Sequence, residues 1–303
     1  MSVQSQIDRI EQNVANTYAV LAGAGADMPT EQNSDNLSAT AASVFNKLKF
    51  DPSAYNIPLL YLTGDTTGMT KENSVTLAWT YGEDSGSCTL KWQGDSSLTY
   101  AKKNYTIKLD NAIDIGYGAQ KKYVLKANYI DFSHARNIVS ARIWGMMVAS
   151  RSNVHANLTA SPNYGAVNGF PVAIVLNDKF HGLYTFNIPK DSWMMNMGSG
   201  TQECILCADH STATQFKGEA TLAGETDFEI EYITDESNTA WAVTSVNRLI
   251  NACINSNGGD LDTTVAKYLD WESAIDYYIL VALLDGMDMT DKNYILATYD
   301  GVK

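Results

Sequence analysis

The stretch AKKNYTIKLDNAIDIGYGAQKKYVLKANYIDFSHARN, residues 101–137, decides how the chain is read. It holds seven of the 21 Lys and Arg residues of an acidic protein: Lys102, Lys103, Lys108, Lys121, Lys122, Lys126 and Arg136. They are interleaved with runs of strand character, residues 105–109 and 123–125. Cations gathered on strands predict an anion site. Taken one at a time, most lysines are instead solvated strand faces.

Working outward, residues 57–64 (IPLLYLTG), 74–82 (SVTLAWTYG) and 87–94 (SCTLKWQG) are strand-like runs bounded by turn residues. Val75, Leu77 and Trp79 alternate, so antiparallel strands with one buried face are expected. Beyond the opening stretch, residues 131–150 predict a helix. Residues 170–176 and 180–186 predict a hairpin about Asn177-Asp178-Lys179. Residues 190–235 read as irregular. Helices are expected over 241–255 and 270–284, the second apolar on most sides and therefore central, and a strand over 294–298. The expected fold class is α+β, with a β-rich N-terminal lobe and a helical C-terminal lobe.

Val3, Ile7, Ile10, Val14, Thr17 and Leu21 have the spacing of a coiled-coil seam and predict a short oligomerising helix over residues 1–22, with an ordinary amphipathic helix packed on its own domain as the alternative. So short a helix gains too little to stand alone. Self-association is therefore expected, with a trimer suiting a tail appendage. Residues 23–56 are expected to form a linker with a short helix, leaving 57–303 as the expected main domain. The segment SDNLSATAASV resembles the N-terminal segments of tailed-phage tail and baseplate proteins.

With 45% hydrophobic and 18% charged residues, the chain folds with a sizeable core. Its net charge of −13 opposes nucleic acid and anionic membranes as overall partners. No apolar run reaches the roughly 18 residues needed to span a bilayer, so no membrane insertion is expected. The N-terminus has no signal-peptide pattern. The expected location is a virion or the cytoplasm of the producing cell.

Asp285, Asp288, Asp291 and Asn293 fall within nine residues, between an apolar helix and a strand. Oxygen ligands on a short loop suit Mg²⁺ or Mn²⁺, although a solvated turn has the same composition. Cys204 and Cys207 have a metal-like spacing but no second pair, so they read as partly buried thiols. His134 and His181 lack an adjacent nucleophile motif. No Gly-rich phosphate loop of standard type is present.

Several motifs in order resemble the CotH family, named for a spore-coat protein and regarded as atypical, kinase-like proteins. They are IPLLYLTG (57–64), LKWQGDSS (90–97), KKNYTIKLD (102–110), YVLKANYIDFSHARN (123–137), PVAIVLNDKFHGLYTF (171–186) and IDYYILVALLDGMDMTDKNYILATYDG (275–301). The resemblance implies a β-rich front and helical back enclosing ATP with Mg or Mn. It implies Lys108, Lys126 and Arg136 as phosphate-side residues, Asp288 as catalytic carboxylate and metal ligand, and Asn293 as a further metal ligand. Two departures stand out. An Arg-Gly-Asn-Ser-Ser-like motif is replaced by residues 92–97 (WQGDSS). A later Trp-Asp segment carrying a metal-binding Asp is not reached before Lys303, which predicts an incomplete domain and weakened catalysis.

Three functions are therefore expected. The first is a phage or prophage virion protein using a CotH-like domain for attachment or assembly, with other virion proteins or the host surface as partners. The alternative is an active ATP-dependent atypical Ser/Thr protein kinase. A third is a carbohydrate-binding module using Tyr117, Tyr164 and Trp193.

Overall fold

The computed structural model describes residues 56–208, 228–286 and 288–303. The coiled-coil helix expected over 1–22, and the linker up to residue 55, lie outside them.

Ten strands are described: β1 Leu59–Thr63, β2 Val75–Tyr81, β3 Asp84–Gln93, β4 Asn104–Asp114, β5 Ala119–Lys126, β6 Gly169–Leu176, β7 Lys179–Asn187, β8 Cys204–Ala208, β9 Glu229–Ile233 and β10 Tyr294–Thr298. The helices are α1 Arg136–Ala149, α2 Ala156–Ala160, α3 Ala240–Asn255, α4 Leu261–Thr264, α5 Trp271–Leu284 and α6 Asp288–Asp291.

The first seven strands close into a barrel in the order β1-β2-β3-β4-β5-β7-β6. Neighbours pair antiparallel except at the closure, where β1 runs parallel to β6 with Leu60 opposite Ile174. Strand alternation sends Leu60, Leu77, Trp79, Leu90, Ile107, Tyr123, Leu125, Ile174, Tyr184 and Phe186 into one core. The hydrophobic effect holds this interior, and closure removes the edges that an open sheet would expose.

The remaining strands form a three-stranded antiparallel sheet, β10-β8-β9. Every residue of β8 is buried. Its Cys204, Leu206 and Ala208 pack with α3 residues Ala242, Val246 and Ile250, whereas Ile205 and Cys207 pack with Ile188, Met194 and Met195.

This architecture corrects the expected fold class. The described chain is a closed barrel followed by a second sheet, with few helices, and no helical C-terminal lobe of kinase type forms. The misreading has a physical cause: a strand covered on both faces loses its alternation, so CILCA looks irregular in sequence. A second correction concerns α5. Only Leu280 and Val281 are buried, while Ile275, Tyr278, Ile279 and Leu283 are exposed, so this apolar helix is peripheral.

Candidate functional site

A cleft of about 1970 Å³ lies beside the barrel. One wall comes from the outer faces of β3, β4, β5 and β7. Register pairs Lys91 with Thr106, Thr106 with Val124, and Val124 with Asn187, which is opposite Gly169 on β6. Opposed residues share a sheet face, so this is one continuous row, and Lys91, Thr106, Val124 and Asn187 all line the cleft. Lys122 and Lys126 stand two residues to either side of Val124 and also line it. Other lining residues include Ile188, Met194 and Met195 near the end of β7, Arg151 after α1, and Asn293 before β10.

The LKAN segment that ends β5 is locked from three directions. Lys126 Nζ donates to Gln93 Oε1 at 2.8 Å, and Asn104 Oδ1 accepts the Ala127 amide at 2.7 Å. Asn128, at φ 44, donates to Thr185 Oγ1 at 3.2 Å and accepts from Asn137 Nδ2 at 3.3 Å. Gln93 leads into Gly94, at φ 123, where a Cβ would collide with Ser97 Oγ. The departure from the Arg-Gly-Asn-Ser-Ser-like motif thus places a neutral amide, Gln93, against Lys126.

The structure brings together only part of the expected site. Lys126 and Asn293 line the cleft. Lys108 is exposed on the outer barrel face opposite Thr89 and Lys122, and is not among the lining residues. Arg136 begins α1 with its side chain 85% exposed, 3.8 Å from Asp131, also outside the cleft. Asp288 is 70% exposed and stands behind Asn293, whose Nδ2 donates to Asp288 Oδ2 at 2.6 Å. Lys292 Nζ lies 3.6 Å from the other Asp288 oxygen.

The sequence places Lys122 only within the wider basic cluster, without singling it out, and gives no site role to Lys91, Asn187 or Arg151. Strand parity once β5 is placed would have found Lys122, but Arg151 needed the fold. Its side chain is only 6% exposed, its Nε is 2.6 Å from Asp276, and it stacks over Trp144 at 5.3 Å. Lys122 lies 3.4 Å from Asp191. Burial pushes the Asp191 carboxyl up, and Lys122 opposes that rise.

Cys204 and Cys207 fall on opposite faces of β8, so the two thiols cannot close on one zinc ion. Among the described residues no group of three or more His, Cys, Asp or Glu side chains could hold a metal ion. Burial, then Cys207, pushes the Cys204 thiol up to about 12. No helix among the described residues is long and apolar enough to cross a membrane.

Fold and cleft together define a class: a closed β-barrel whose outer face supplies a lysine-bearing cleft wall, completed by a second sheet. The chain belongs to the CotH family, since the family model described as CotH kinase protein matches residues 90–303, more than half of it. No curated protein matches the chain.

Proposed function

We propose that the cleft binds a nucleoside triphosphate with a divalent ion and supports phosphoryl transfer to a hydroxyl of a protein partner. The observation that carries this reading is the convergence of Lys91, Lys122 and Lys126 on a cleft that also contains Asn293, itself hydrogen-bonded to Asp288. The lysines balance phosphate charge. The residues present fit the polyphosphate and offer a metal only one carboxylate and one carboxamide, a number acceptable for Mg²⁺ when phosphate oxygens and waters complete its shell. When bound, that ion would neutralise charge between phosphate oxygens. Asp288, exposed behind Asn293, must turn from its bond to Asn293 to reach the attacking hydroxyl. It then takes the hydroxyl proton as the hydroxyl oxygen bonds to the γ-phosphorus and the bond to the bridging β–γ oxygen breaks, releasing the nucleoside diphosphate.

Calorimetry with ATP and Mn²⁺ tests the reading. Binding is expected for the wild type and for Lys108→Ala, with a loss of tenfold or more, on the order of one charge-assisted contact, for Lys126→Ala. Transfer from radiolabelled ATP should disappear in Asp288→Ala, and Mn²⁺-dependent ATP binding should weaken because the variant loses the one carboxylate offered to the metal. No heat with ATP under any metal condition overturns the proposal.

The exposed row Ile275, Tyr278, Ile279 and Leu283 on α5 favours a second reading, attachment or assembly within a larger particle such as a phage tail. The expected N-terminal seam would add a homo-oligomer. Light scattering should then show an oligomer that becomes a monomer when residues 1–34 are deleted. A monomer with the segment intact removes this reading.

A further inference from the structure

Among the described residues, three buried side-chain polar atoms lack a hydrogen-bond partner: Arg151 Nη2, Tyr184 OH and Asn187 Oδ1. The Arg151 group already spends its charge on Asp276 and Asp270. Tyr184 points into the barrel core. Asn187 differs from both, because it sits on the cleft face of the sheet.

Its position follows from register. Asn187 opposes Val124 on one side and Gly169 on the other, one pleat from the Lys126–Thr185 pair. The residue is 6% exposed. A Cβ at residue 169 would collide with Asn187 Oδ1, so the carboxamide rests on the bare glycine backbone. A larger residue at 169 would occupy that seat. Leaving a buried carbonyl oxygen unpaired is costly, and native proteins seldom tolerate it without use. Ile188, the next residue, packs with Met194 and Met195, and all three also line the cleft as an apolar wall.

The geometry points to Asn187 as the residue that reads the base of the bound nucleotide, its carboxamide pairing with the amino group and adjacent ring nitrogen of an adenine-type base seated against Ile188, Met194 and Met195. This rests on the nucleotide reading above and adds base specificity to it. A carboxamide presents one acceptor and one donor, which match the adenine amino group and N7 as a bidentate pair. Hypoxanthine presents two acceptors on the same edge, so neither orientation of the amide satisfies both. The torsion that turns an asparagine amide is broad and soft, so Oδ1 can leave its seat over Gly169 to meet the base. Val124, on the same row, keeps the floor beneath the base apolar, while Lys126 lies one pleat away for phosphate.

The test compares four probes on the full chain with Mn²⁺: ATP, inosine triphosphate, purine riboside triphosphate, which has hydrogen in place of the amino group, and inorganic tripolyphosphate. The wild type should bind ATP at least about fivefold more tightly than either altered purine, the discrimination of one bidentate pair. In Asn187→Leu that ratio should fall to about one with tripolyphosphate binding unchanged. The wild-type comparison needs no variant, so a poorly folding Asn187→Leu leaves the inference testable. Equal affinity of the wild type for all three nucleotides overturns the role of Asn187 while leaving the nucleotide reading intact. Failure of both ATP and tripolyphosphate to bind overturns the two together.

Discussion

Asn177 is the residue on which barrel closure can be weighed. It begins the turn between β6 and β7 at φ 50, with Asp178 following at φ 62. Its Oδ1 accepts the Gly64 amide at 2.9 Å, its Nδ2 donates to the Gly64 carbonyl at 3.0 Å, and its own amide donates to Leu62 O at 2.9 Å. One side chain therefore clamps the end of β1 to the end of β6, across 113 positions of sequence. Replacing it by Ala loses two solvent-accessible hydrogen bonds, about 0.5 kcal/mol each. It also forces a Cβ-bearing residue without local hydrogen bonding into the left-handed region, at roughly 1 kcal/mol. Asn177→Ala should therefore cost about 2 kcal/mol. Asn177→Gly retains the backbone conformation and should cost about 1 kcal/mol. For a domain of this size these losses lower Tm by roughly 4–8 °C and 2–4 °C. Urea unfolding followed by tryptophan fluorescence, with calorimetry alongside, separates the two variants. If Ala and Gly prove equally stable, the backbone argument fails; if both match the wild type, the clamp contributes nothing to closure.

Two further predictions concern buried charge. Lys102 Nζ donates to Ala127 O at 3.0 Å and to Leu183 O, and sits 4.3 Å over the Tyr184 ring; burial lowers its pKa from 10.5 to about 8. Between those values the unfolded chain binds the extra proton, so stability rises with pH from about 8 to about 10.5 as the cost of burying the charged lysine is relieved, and it is flat with respect to this group below about 8. Wild type should gain on Lys102→Met between pH 8 and 10 in urea midpoints, and parallel curves would refute the assignment. For Arg151→Met, Asp276 is left partly buried without its cation, which should cost about 2–3 kcal/mol. Arg151→Met/Asp276→Leu should recover much of that loss in the same assay, and equal single and double losses would show that the pair is uncoupled.

Much of the site was legible once strand parity was known. Lys122, Val124 and Lys126 fall on one face because Tyr123 and Leu125 must point inward, and the sequence states that alternation openly. Lys108 shows where the rule stops. It shares the outer face with Lys122, yet the cleft does not extend to it. Which part of an outer face is covered depends on where the second sheet packs, and no local pattern records that. Asp288 and Asn293 were close in sequence, but only the fold puts Asn293 at the cleft and Asp288 behind it. Asn187 gave no sequence signal, since its meaning comes from Gly169 lying across the ladder.

The strands of the barrel, the hairpin about Asn177, the helices α3 and α5, and the concentration of cations on β4 and β5 can be read from the order of residues alone. Those features are written in periodicity and turn chemistry, which act over a few residues. Tertiary structure alone decided that β1 closes in parallel on β6, that CILCA is a central strand, and that α5 leaves its apolar face uncovered. Each of these depends on pairing or packing between distant segments, whose free energy is shared by both partners and so is visible in neither alone.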